Sequence, residues 1–201
     1  MTADPGEREH PGGRAASALL VVDMQRALVA IAHRASGTVA AIAGLQARAR
    51  TAGAPVVFAQ QQDEELEPGT DGWRIVPELA PAPGESVVPK AAPDSFLDTE
   101  LDAILRARGI TEVVVTGFAT EICVESTARQ ALSRGYDVVL VADGHTTSVR
   151  PDSGPYAAPE ASVAHHNEIY RNLRFPGRRV RVLRAAEVEF GGRAPARSGP
   201  R

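Results

Sequence analysis

Short β-branched and aliphatic runs alternate along the chain with segments whose apolar positions recur every three to four residues. That alternation predicts parallel strands covered by helices on both faces. The first strand is expected at 18–23 (ALLVVD), a continuous apolar run closed by Asp23. A helix carrying Val39, Ile42 and Ala49 follows, and Gly53 and Pro55 end it before a second strand at 55–59. A short third strand at 86–88 leads to Lys90, and Leu97, Leu101, Ile104 and Leu105 then repeat at helical spacing up to Gly109. The fourth strand is 111–116 (TEVVVT) and the fifth 136–142 (YDVVLVA). Between them Val124, Ala128, Ala131 and Leu132 share one helical face, which Gly135 terminates. Pro159 opens a last helix with a stripe through Val163, His166, Tyr170 and Leu173, ahead of a sixth strand at 179–183. The fold class is therefore α/β, an open doubly wound sheet of Rossmann-like type with six parallel strands.

The remaining stretches set the limits of the domain. Residues 1–16 are rich in Pro, Gly and charge without apolar period and read as a disordered leader, and 191–201 reads as a disordered tail, leaving 17–190 as one domain. The segment 60–83 is longer than an ordinary strand-to-helix connection, which marks it as a functional loop or a lid. A net charge of −3, with no Lys/Arg cluster interleaved with aromatics, speaks against nucleic acid as a partner. No apolar run approaches the ~20 residues that span a bilayer. The N-terminal stretch is polar where a signal peptide needs an apolar core, so a cytoplasmic location is expected. The single cysteine excludes an internal disulfide and leaves a free thiol to explain.

Three polar residues occupy equivalent places on this plan. Asp23 ends the first strand, Lys90 follows the third, and Cys123 follows the fourth near the start of a helix. Parallel strands point their carboxyl ends the same way, so the three converge on one crevice. With Thr120 as helix cap, the helix N-terminus and the Lys90 ammonium would favour the Cys123 thiolate, while Asp23 could move the proton that amide hydrolysis requires. Taken singly, each has a plainer reading: a small buried apolar thiol, a turn carboxylate, and a surface cation whose stem covers apolar neighbours.

The segments VVDMQ at 21–25, PKAAPDSF at 89–96 and GFATEICVESTARQA at 117–131 resemble, as a set, the isochorismatase-like cysteine hydrolases. The resemblance runs from Ala18 to Val188 in the same order and spacing. It implies a catalytic triad of Asp23, Lys90 and Cys123, and cleavage of C–N bonds in small amides, carbamoyl compounds or lactams through a Cys thioester. It also implies a cis peptide between Phe118 and Ala119, with the Ala119 and Cys123 N–H groups forming an oxyanion hole. A homodimer or homotetramer is implied as well. Nicotinamidases of the family carry a metal site built from Asp and several histidines after the second strand. The segment 60–84 holds no His here, so neither a metal nor any other cofactor is expected.

The stretches ADGHTTS at 142–148 and AHHN at 164–167 resemble a subgroup that includes the streptothricin hydrolase, which opens a cyclic amide. His145 could donate to substrate or satisfy loop backbone groups; His165 and His166 read as structural. Candidate substrate-binding residues are Gln60, Trp73, Phe96, Phe118 and His145. The competing readings are an isochorismatase-type hydrolase of another small metabolite, a non-catalytic small-molecule-binding member of the fold, and a thiol redox enzyme. The last lacks a second cysteine to resolve an intermediate.

Overall fold

A computed structural model describes residues 15–150 and 154–191. Six strands form one all-parallel sheet: β1 (Ser17–Val22), β2 (Val56–Gln61), β3 (Ser86–Lys90), β4 (Glu112–Phe118), β5 (Asp137–Thr146) and β6 (Val180–Leu183). Their spatial order is β3-β2-β1-β4-β5-β6. The order reverses direction between β1 and β4, which is where a crevice opens in a doubly wound sheet. The central strands β1 and β4 are buried along their whole length, as their unbroken apolar runs require.

Among the described residues five α-helices accompany the sheet: α1 (Arg26–Ala30), α2 (Ala35–Thr51), α3 (Leu101–Ala107), α4 (Glu125–Arg134) and α5 (Pro159–Asn172). On one face Leu101, Leu105, Ala128, Leu132 and Tyr170 of α3, α4 and α5 pack on Leu20, Val22, Val113 and Val115. On the other, Ile42, Leu45 and Ala49 of α2, together with Val188 and Phe190, cover Leu19, Val21, Val114 and Val139. Burying each Leu or Val of this kind stabilises by roughly 1.5–3 kcal/mol. The two layers hold the strand ends at fixed spacing.

Several expectations need correction. Helix α3 starts at Leu101, and Leu97 is half exposed in the loop before it. The inward face of α5 is more polar than its apolar stripe suggested: Ser162, Asn167 and Tyr170 are buried, while Val163 and His166 are only half-buried. Most of the leader and tail lie outside the described residues. At their inner ends Ala16 bridges Gly191 and the Gly191 N–H donates to Ser17 Oγ at 3.2 Å. No described helix is long and apolar enough to cross a membrane.

Two glycines are required by geometry. Gly135 closes α4 in the left-handed region at φ 105°. Gly117 sits at φ 127°, and a Cβ there would lie 2.0 Å from the Val22 carbonyl oxygen. Only a glycine lets β4 pass this close to β1 immediately before the cysteine turn.

Candidate active site

The chain leaves β1 at Asp23, whose φ of 51° lies in the left-handed region that Asp tolerates better than most residues. Its carboxylate is buried. Oδ1 accepts the Gln61 N–H at 2.9 Å, and Oδ2 lies 2.7 Å from Lys90 Nζ. Lys90 is the last residue of β3, and its ammonium is also buried. It donates to Gln61 Oε1 at 2.7 Å, to the Ala92 carbonyl at 3.0 Å and to Cys123 Sγ at 3.5 Å. Asp23 Oδ2 takes the Lys90 ammonium at 2.7 Å, the Lys90 and Cys123 side chains both hydrogen-bond to this carboxylate, and a carboxylate oxygen keeps a second lone pair.

Cys123 follows β4 on a turn of π-helix, Thr120–Val124, entered through a cis peptide between Phe118 and Ala119. Thr120 does not cap this turn with its side chain. Its hydroxyl turns instead to His145 Nδ1 at 2.8 Å. Burial pushes the thiol up to about 12; the Asp23 charge adds to the rise and the Lys90 ammonium offsets part of it. Burial thus opposes the thiolate that the nearby cation favours. Burial likewise raises the Asp23 carboxyl above its ordinary value, against the pull of Lys90.

A cavity of about 390 Å³ opens over these groups. Its floor includes Asp23, Phe118, Ala119 and Cys123, and its walls include Leu28, Gln61, Asp63 and Pro93. Helix α1, which the apolar pattern did not announce, brings Ala27 and Leu28 to this rim. The loop after β3 is docked on α4 where the Ser95 N–H donates to Thr127 Oγ1 at 3.1 Å. The segment 60–83 is pinned to the start of α1, because Arg26 N–H donates to Arg74 O and Val76 N–H to Met24 O.

The expected pocket residues divide. Phe118 lines the cavity. Gln60 does not: alternation along β2 sends its side chain away, to donate to the Trp73 carbonyl at 2.8 Å, and its neighbour Gln61 faces Lys90. Trp73 contributes that carbonyl to Gln25 and Gln60 and lies outside the lining. Phe96 is a core residue stacked on Tyr136 with ring centroids 6.0 Å apart. His145 is buried behind the cysteine turn, outside the cavity lining, with the side chains of Thr120 and Asn167 as its hydrogen-bond partners. Asn167 Nδ2 donates to Ala142 O at 3.1 Å, so Asn167 Oδ1 must accept from His145 Nε2–H and Nδ1 must accept from Thr120. His145 reaches this place because β5 advances from Leu140 to His145 while β4 advances from Val115 to Gly117. Glu121, the next residue of the turn, accepts from Thr147 Oγ1 at 2.8 Å and Ser162 Oγ at 3.1 Å and pairs with Arg150. The turn is thus tied to β5 and α5 at two successive residues. Among the described residues, no group of three or more His, Cys, Asp or Glu is arranged to hold a metal ion.

A doubly wound α/β sheet with an acid, an ammonium and a thiol at its carboxyl edge defines a cysteine-centred class of site. The isochorismatase domain model matches residues 17–158, and the chain belongs to the isochorismatase family. It is 44% identical over 151 residues to a streptothricin hydrolase of Streptomyces noursei, covering 72% of this chain and 53% of the relative. A ureidoacrylate amidohydrolase of Pseudomonas syringae pv. syringae is 33% identical over 189 residues, covering 73% and 75%. The structure of N-carbamoylsarcosine amidase from Thermoplasma acidophilum aligns with a TM-score of 0.69 at 30% identity, over 86% of this chain and 98% of that one. The chain spans about half the length of the streptothricin hydrolases it matches.

Proposed function

We propose that the chain is a cysteine amidohydrolase that cleaves the C–N bond of a small amide, carbamoyl compound or lactam through a thioester on Cys123. The observation that carries this reading is the contact of Lys90 Nζ with two residues that line an open cavity, 2.7 Å to Asp23 and 3.5 Å to Cys123 Sγ. The likeness to enzymes named streptothricin hydrolase, ureidoacrylate amidohydrolase and N-carbamoylsarcosine amidase supports an amide substrate.

The thiol is protonated at rest, so attack and proton transfer are coupled. Sγ adds to the carbonyl carbon while its proton passes to the open lone pair of Asp23 Oδ2. The same proton then goes to the departing nitrogen, the C–N bond breaks and a thioester remains. Water entering the cavity gives a proton to Asp23 and attacks the thioester carbon. Collapse of that intermediate releases the acid, and the proton on Asp23 returns to sulfur. Lys90 stabilises the negative charge that passes between sulfur and Asp23 and needs no protonation change. The Ala119 and Cys123 N–H groups are assigned to the tetrahedral oxyanion, where one such donor lowers a barrier by about 3 kcal/mol in other hydrolases. Phe118 borders the bound amide.

The test is a panel of carboxamides, carbamoyl amino acids and lactams assayed for release of ammonia or amine. Turnover of at least one class, abolished in Cys123→Ala with the fold retained by circular dichroism, is expected. Turnover undiminished in Cys123→Ala would overturn the proposal.

A further inference from the structure

Hydrolysis of an amide needs one acid beside the thiol, yet the cavity carries three carboxylates. Asp23, Asp63 and Glu65 line it, and no described Arg, Lys or His does. Lys90 lies behind the wall, 2.7 Å from Asp23, so that pair presents little net charge. Asp63 and Glu65 are both exposed and have no ion-pair partner among the described residues, and the Lys90 charge is the smallest of the influences that lower the Asp63 carboxyl. Asp63 is held in place and held ionised: Gln61 Nε2 donates to one oxygen at 3.0 Å, and the Glu65 and Leu66 N–H groups donate to the other at 3.0 and 2.9 Å. Those bonds, the Gln61 amide first, keep its carboxyl below the ordinary range. Much of the remaining lining is apolar, with Leu28, Ile31, Leu66 and Ile122.

We propose that this site selects amides bearing a cationic group, an ammonium or guanidinium on a short aliphatic body, and rejects substrates that carry a carboxylate. The cation sits at Asp63 and Glu65 while the aliphatic part covers the apolar wall and the amide reaches Cys123. A carboxylate entering the same mouth meets two like charges and no cation to replace its water, an arrangement that costs affinity and slows encounter. The substrate class rests on the reading of Cys123 as nucleophile, but the charge preference acts on any molecule that approaches the sulfur.

That independence gives the test. Cys123 is the single cysteine of the chain, so thiol-directed reagents report on this site alone. Rates with trimethylammonium-ethyl, sulfonatoethyl and methyl methanethiosulfonate, each normalised to a small free thiol, measure the preference for cation, anion and neutral molecule. At low ionic strength the cationic reagent should react at least ~10-fold faster than the anionic one. The ratio should fall with added salt and fall further in Asp63→Asn/Glu65→Gln. A ratio at or below one with a normal neutral rate would remove the charge rule and leave the nucleophile reading intact. No reaction with the neutral reagent would remove both. In parallel, kcat/KM for a cationic carboxamide should exceed that for its carboxylate counterpart by a similar factor, and a preference for the carboxylate would overturn the proposal.

Discussion

Lowering the pH should unlock the cysteine turn from behind, through His145. The ring is 2% exposed, and burial pushes its pKa down to about 4, with the Asn167 hydrogen bond opposing. In the unfolded chain the same imidazole titrates near ~6.5. A depressed folded value means that the contribution to stability is complete above ~6.5 and is lost as the pH falls from there toward about 4, because the unfolded state takes up the proton first. Between pH 8 and pH 5 the two values give a loss of about 2 kcal/mol, or about 4–8 °C in Tm for a domain of this size. Protonation also removes the Nδ1 acceptor that holds Thr120 at 2.8 Å, so the turn carrying Cys123 loosens with the fold. Urea denaturation of the wild type and of His145→Gln at pH 8, 6.5 and 5 isolates the effect from other titrating groups. The wild type should lose about 2 kcal/mol more than the variant across that range. The same pH dependence in both proteins would refute the reasoning.

Asp23→Asn and Lys90→Ala should each lower kcat by at least ~100-fold with the best amide, and near-normal turnover in either would remove its assigned role. The wild-type thiol should show no thiolate absorbance through the ordinary thiol range near ~8.5, whereas Asp23→Asn, by deleting a charge that raises it, should ionise at lower pH. An unchanged titration would show that the carboxylate does not act on the sulfur. Gly117→Ala should cost at least ~3 kcal/mol in denaturant melts, since its Cβ would meet the Val22 oxygen at 2.0 Å, and a wild-type midpoint would contradict that clash. Prolonged chelation should leave activity unchanged; a strong loss that added divalent metal restores would overturn the metal-free mechanism.

The central strands were legible because each is a compact apolar run, and the shared direction of the strands was enough to bring Asp23, Lys90 and Cys123 to one edge. What surrounds those three was less legible, for local reasons. Gln60 and Gln61 are identical in type, and only the pleat of β2 decides which of them meets Lys90. Phe96 stands six residues after Lys90, yet the docking of that loop on α4 turns its ring into the core. Helix α1 spans five residues, too few for a periodic signal, although it supplies part of the cavity rim. The rise of the Cys123 thiol follows from burial, which three-dimensional packing sets and residue order does not. His145 acquires its partners through the irregular pairing of β5 with β4 at Asp143-Gly144, a dipeptide that marks an interruption of the strand without saying which side chains it brings together.

Acid quenching during turnover, followed by peptide mass analysis, tests the central claim most directly. The account predicts the acyl portion of the substrate on the peptide containing Cys123, formed before the acid product appears and released by hydroxylamine. Full hydrolysis with that peptide unmodified at every time point, under conditions where a slow ester analogue does label it, would contradict it.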